Sequence, residues 1–196
     1  MANITLSIPS NELIAKYIHE FNENDRYFYA DKAIDKLIGC FPQNKTIEDV
    51  LLKVVVINRL YSTSVYGVNE MAEHILSQDI DIRLKSGDLS LVDAIATGHG
   101  IPIGETKKER CFYSFATKYC NWHNKKSYPI YDSFVDKILF HYMKQDKFSE
   151  FKRTDLRDYS RFSKIVADFI EYYSITDYGL KELDKFLWRY GQEMFP

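Results

Sequence analysis

With 196 residues, 45% of them apolar and 28% charged, the chain has the size and composition of one soluble folded domain, or of one compact unit with two lobes. A net charge of −2 argues against indiscriminate electrostatic binding to nucleic acid but leaves room for a local basic stripe. No apolar run reaches the roughly 18 residues of a membrane span, because Val54–Ile57 is flanked by Lys53 and Arg59, and Met1–Ser7 lacks the basic-then-apolar pattern of a signal peptide, so a soluble, cytoplasmic protein is expected.

Residues 1–9 read as an extended lead-in ending at Pro9, and Ser10 is placed to cap a helix from Asn11 that turns Leu13, Ile14, Tyr17, Ile18 and Phe21 to one side. After a polar break at Asn22–Asp25, a second helix carries Ala30, Ala33, Ile34, Leu37 and Ile38 and stops between Gly39 and Pro42. Thr46 and Asp49 have the spacing of a capping box and open the most apolar helix, Val50 to Leu60. Leu51, Val54, Val55 and Ile57 make it apolar nearly all round, which predicts a central, buried element. A polar, aromatic elbow at Asn58–Thr63 leads into a helix with Val65, Val68, Met71, Ala72, Ile75 and Leu76 inward.

Ser86–Asp88 reads as a turn before a short helix, Leu89 to Ala96, and Gly98–Gly104 as a glycine-bearing connector. Thr106 is placed to cap a long helix reaching Trp122, and Asp132 to cap the next, with Phe134, Val135, Ile138, Leu139 and Tyr142 inward. Lys144–Arg157 looks like a charged, mobile connection. An amphipathic helix follows with Phe162, Ile165, Val166, Phe169, Ile170 and Tyr173 inward, and a last one, capped by Thr176 or Asp177, with Leu180, Leu183, Leu187 and Trp188 inward. Period-two alternation is confined to Ile4–Ile8 and no hairpin turn signal is present, so the expected fold is all-α, with about eight or nine helices. A single helical domain over 1–196 is expected, with 46–143 as its core and 1–45 and 144–196 packing as a second lobe.

The three cysteines, Cys40, Cys111 and Cys120, have no metal-type spacing and read as reduced thiols; neither metal nor cofactor is called for. An aromatic share of 15% fits either an aromatic-lined pocket or a Tyr/Phe-rich coding bias. The chemically suggestive stretch is Cys111–Leu139, where an aromatic helix carries Lys118 and Asp132 follows fourteen residues later, with a short connection able to bring both to one pocket. From the residues alone, Lys118 either packs its stem on Tyr119 or Trp122 with its amine in water, or is a buried amine that pairs or reacts. Asp132 is a plain N-cap, a working carboxylate, or both. His123, at a helix C-terminus, would favourably meet the helix dipole. Lys107, Lys108, Arg110, Lys125 and Lys126 are the candidate basic patch, interspersed with Glu105 and Glu109.

Ser114-Phe115-Ala116-Thr117-Lys118, Pro129-Ile130-Tyr131-Asp132-Ser133 and Leu183–Gly191 give 46–191 a pattern that resembles the helix-hairpin-helix DNA glycosylases, in particular bacterial proteins with the 8-oxoguanine DNA glycosylase fold. The resemblance implies a DNA partner carrying an oxidised purine, with Lys118 as nucleophile and Asp132 stabilising charge on the sugar. For that role the amine needs a depressed pKa, for which Phe115, Tyr119 and Trp122 would supply the apolar setting. It also implies that the elbow, Asn58 to Thr63, fills the hole left by an extruded base, with Arg59 and Tyr61 as probes, and that Trp122 and Trp188 line the base pocket. The family's tight Pro-Gly hairpin has no counterpart, since Gly98–Gly104 is separated from Lys118 by Thr106–Arg110. A catalytically inactive module of the same fold that binds nucleic acid or protein, in bacterial defence for instance, is therefore the alternative expectation.

Overall fold

The computed structural model describes residues 4–196, the side chain of Asp25 excepted, and this span is helical as expected. Ten α-helices are present among the described residues: α1 Asn11–Glu23, α2 Asp25–Cys40, α3 Ile47–Tyr61, α4 Val68–Ser77, α5 Asp81–Ser86, α6 Ser90–Ala96, α7 Tyr113–His123, α8 Ser133–Asp146, α9 Tyr159–Tyr172 and α10 Leu180–Met194. A 3-10 turn, Arg153–Arg157, precedes α9. The start of the lead-in, residues 1–3, lies outside the described residues. No described helix is long and apolar enough to cross a membrane.

The chain divides into two compact units, one of Met1–Phe28 with Pro129–Pro196 and one of Tyr29–Tyr128. These bounds differ from the expected lobes: α8 belongs with the chain ends, because it packs on α10, while most of α2 belongs with α3–α7.

In the first unit α1 lies on α10, and α10 on α8. Ile14, Tyr17 and Phe21 form the inward stripe of α1, and Leu183, Phe186, Leu187 and Tyr190 that of α10. The Tyr17 and Tyr190 rings meet at 4.8 Å, and Phe186 stacks on Tyr190 at 5.7 Å. The lead-in is strapped down by side chains: Gln145 bonds both the N–H and the carbonyl of Leu6, and Tyr142 donates to the Ser7 carbonyl at 2.6 Å. α10 passes close to α8 at Gly191, where a Cβ would lie 2.9 Å from Phe134 Cβ and 3.2 Å from its carbonyl oxygen. Gly191→Ala is accordingly expected to cost about 1–3 kcal/mol, as overpacking does, read as a lowered urea midpoint with an unchanged slope.

The charged connection expected at Lys144–Arg157 is packed instead. α8 continues to Asp146, Lys147 ends it in the left-handed region at φ 56°, and Phe148, Phe151 and Leu156 are buried, with the Phe148 ring 5.3 Å from that of Phe169 on α9. The last helix is capped neither by Thr176 nor by Asp177. Gly179 precedes it, donating its N–H to Glu182 at 2.8 Å, while Asp177 accepts from Asn11 Nδ2 at 2.6 Å.

In the second unit α3 packs on α4 and α7, and α7 also on α5 and α6. Thr46 caps α3 as predicted, accepting from Asp49 N. The expected all-round burial of α3 does not hold: Val50, Lys53, Val54 and Ile57 face inward, while Leu52 and Val55 are 45% and 43% exposed. α4 begins at Val68, not Val65, because 62–67 forms the elbow. α5 corresponds to no expected element; six residues cannot show a helical period. Thr106 does not cap α7, which starts seven residues later. Residues 101–110 instead fold into a finger, with Pro102 and Glu109 as an antiparallel bridge, the Ile103 N–H on the Lys108 carbonyl at 2.8 Å and the Arg110 N–H on the Ile101 carbonyl at 3.0 Å.

Candidate active site

α7 is buried on all sides: Phe115, Ala116, Tyr119, Cys120 and Trp122 are inside together with Thr117, Lys118 and Asn121. Lys118 is therefore enclosed, at 3% exposure, which excludes the surface reading. Its Nζ donates to Ser114 Oγ, one turn back on the same helix, at 2.6 Å and lies 5.4 Å from the centre of the Tyr61 ring. Tyr61 ends α3. Its hydroxyl donates to Asp31 Oδ1 at 3.2 Å and accepts from the indole N–H of Trp122 at 3.2 Å. Asp31 is buried. Lys125 covers the Trp122 ring at 4.4 Å and pairs with Asp35. Lys118, Tyr61 and Trp122, singled out in the sequence, thus share one network with Ser114 and Asp31, which were not. Ser114 was within reach at i−4 from the lysine; Asp31 belongs to a distant helix.

The other elbow residues work on the elbow itself. Asn58 Oδ1 accepts from Thr63 Oγ1 at 3.0 Å and from Val65 N at 2.9 Å, and its Nδ2 donates to the Val65 carbonyl at 2.9 Å. These bonds hold Ser62 and Ser64 at φ 52° and 59°, a left-handed setting that costs non-glycine residues of order 1–3 kcal/mol each. Arg59 is exposed.

Asp132 and Trp188 belong to the unit formed by the chain ends. Asp132 caps α8, its Oδ1 accepting from Phe134 N at 2.7 Å, as the sequence predicts. Trp188 is half-buried and meets Tyr27, Phe21 and Phe134 edge-on at 4.8, 5.8 and 6.3 Å. Asp132→Ala is expected to cost about 1 kcal/mol of stability through the lost cap, whereas Asp132→Asn keeps the cap and removes only the charge. Urea unfolding of the two variants separates the cap from any chemistry of the carboxylate.

A second buried amine went unnoticed in the sequence. Lys53 is fully buried, and its Nζ donates to the Phe41 carbonyl at 3.0 Å, the Gln43 carbonyl at 2.6 Å and Asn44 Oδ1 at 2.7 Å. Asn44 in turn accepts from the Tyr119 hydroxyl at 2.6 Å and donates its Nδ2 to Asp81 at 2.7 Å. Burial pulls the Lys53 amine down to about 8, against the opposing pull of Asp81 and Asp49. His123 stacks beside Tyr119 at 5.0 Å with a buried Nε2 that has no partner; burial first, and the Lys53 charge second, bring it down to about 3. The imidazole is thus neutral at ordinary pH and gains nothing from the helix dipole, contrary to expectation.

The glycine loop is filled from within. Glu109 accepts from the Gly98 N–H at 2.9 Å and the Gly100 N–H at 2.7 Å, and these bonds hold its carboxyl below the usual range. His99 Nδ1 lies 3.3 Å from the same carboxylate and 3.0 Å from Ile101 N, and its Nε2 lies 3.2 Å from the Ala96 carbonyl.

Among the described residues no three His, Cys, Asp or Glu side chains gather to hold a metal. No solved structure matches the chain. A protein of Haemophilus influenzae, described as uncharacterized, is 46% identical over 151 residues, which are 76% of this chain and 70% of that one. The family model HI_0787_N, described as an N-terminal domain, matches residues 13–127, a span that includes Lys118, its network and the finger but neither Asp132 nor Trp188. A match over more than half of the chain, with a relative so similar, means that the chain belongs to the HI_0787_N family.

Proposed function

We propose that the protein is a DNA glycosylase with lyase activity, acting in the cytoplasm on an oxidised purine, with Lys118 as its nucleophile. The observation that supports this reading is the enclosed Lys118 amine, positioned by Ser114 and the Tyr61 ring. A neutral amine attacks C1′ of the damaged nucleoside; the C1′–N bond breaks and its electron pair leaves with the base, which takes up a proton. The new C1′–N ammonium then loses one proton, the C1′–O4′ bond breaks with its electron pair leaving on O4′, which takes up a proton, and the nitrogen lone pair closes a protonated imine. An enclosed, pre-positioned amine lowers the orientational cost of that attack.

Sodium borohydride trapping on labelled duplexes carrying 8-oxoguanine opposite each normal base tests the proposal, because reduction converts the imine into a stable amine. A slower-migrating covalent band supports it. A duplex retained in a native gel with no trapped band across a panel of damaged bases favours the inactive binding module, for which the observation in hand is that Asn58 and Thr63 are both consumed by the elbow.

A further inference from the structure

Beside the Lys118 network, the elbow and the finger form one surface. Gly67, the last residue of the elbow, sits so close to Ile101 at the finger's base that a Cβ there would come within 2.9 Å of the Ile101 side chain. Just before it, Tyr66 is 76% exposed, and the Arg110 guanidinium lies over its ring at 5.3 Å from the centroid, with Phe112 behind the guanidinium at 5.8 Å. Lys107 and Lys108 are exposed on the same finger. Glu105 and Glu109 stand among these cations, and Glu109 accepts from the Gly98 and Gly100 N–H groups while keeping its negative charge. The finger carries three cations, Lys107, Lys108 and Arg110, against two carboxylates, Glu105 and Glu109, with the Arg110 guanidinium on the Tyr66 ring.

A large aromatic ring left in water and backed by a guanidinium, with two further cations a few residues away, is the composition of a stacking platform for a base with its flanking phosphates. Tyr66 follows Tyr61 by five residues through an elbow held at two left-handed serines, so the platform is fixed relative to the Lys118 network. We infer that this surface binds a nucleic-acid strand with an unpaired base stacked on Tyr66 and its phosphates on Lys107, Lys108 and Arg110. The inference rests on the proposed action on nucleic acid, and supplies that reading with a strand-holding surface.

Fluorescence anisotropy with a fluorescein-labelled 12-nucleotide single strand, and with a blunt duplex of the same sequence, tests it on the full chain. Tyr66→Ala is expected to weaken single-strand binding about 5- to 100-fold, the range of one base–aromatic stack, and Tyr66→Phe to retain it. Replacing Lys107, Lys108 and Arg110 together by alanine is expected to lower the slope of log K against log salt by about 2, from three lost phosphate contacts on a single strand. Circular dichroism of each variant should match the wild type, since Tyr66, Lys107 and Lys108 are exposed. The surface is overturned by Tyr66→Ala binding within twofold of wild type, by an unchanged salt slope, by binding of the duplex alone, or by no binding of either probe. A borohydride-trapped adduct that persists undiminished in Tyr66→Ala removes the platform and leaves the enzyme reading standing. Binding that depends on Tyr66 with no adduct does the reverse.

Discussion

Replacing Lys53 by methionine is expected to destabilise the protein by about 1–3 kcal/mol at pH 7, and by more as the pH is raised. Methionine nearly conserves the volume but leaves the Phe41 and Gln43 carbonyls and one side of Asn44 Oδ1 without their donor, and stranding buried acceptors costs about 1–3 kcal/mol. Lys53→Ala adds a cavity, and its total loss is expected to reach about 3–5 kcal/mol.

The pH dependence follows from the lowered amine. In the unfolded chain the lysine titrates at 10.5 and in the folded protein at about 8, so between these values the unfolded state holds more proton and stability rises with pH. Below about pH 8 the cost of keeping the buried amine charged is present in full; it is relieved as the pH climbs toward 10.5. The full relief is of order 3 kcal/mol. The wild type should therefore gain on Lys53→Met from pH 8 to pH 10 in urea unfolding, and a gap that stays constant over that range would show that the amine is not held low. Loss of the Phe41–Asn44 clamp should also quicken amide hydrogen exchange at the start of α3.

The second large effect concerns Lys118. Lys118→Gln keeps a polar side chain of intermediate length beside Ser114 and Tyr61 but has no nucleophilic amine, so the trapped adduct is expected to vanish while the far-ultraviolet circular dichroism and the urea midpoint stay close to wild type. Ser114→Ala removes the acceptor of the 2.6 Å bond from the amine and leaves the amine itself. It is expected to slow trapping without abolishing it, with a shift in its pH profile that a merely structural role for the serine would not produce.

Much of the helical frame was legible because it rests on local rules. The 3.6-residue spacing of Ile14, Tyr17 and Phe21, and of Leu183 and Leu187, marks inward faces that the structure buries, whereas Leu180 and Trp188, expected on the same face of the last helix, are only half-buried. Ser10, Thr46 and Asp132 are found capping the helices they were expected to cap. The 101–110 segment was not legible, because one bridge pair carries no period-two pattern and no Asn-Gly or Asp-Gly turn. That single failure also displaced the start of α7. Lys53 was legible and was passed over: Val50, Lys53, Val54 and Ile57 share one face at helical spacing, and the apolar partners say that the lysine goes inward with them. In the candidate site, the lysine's burial could be argued from its aromatic neighbours on α7. The Asp31–Tyr61–Trp122 bonds could not, because they join residues 30 and 61 positions apart.

Borohydride trapping of wild type and Lys118→Gln, side by side on a duplex containing 8-oxoguanine, tests the central claim most directly. A covalent protein–DNA band from the wild type that is absent from a folded Lys118→Gln establishes an imine on this amine. A band that survives the substitution would assign the chemistry to another group, and no band from either protein over a panel of damaged bases would contradict the glycosylase reading itself.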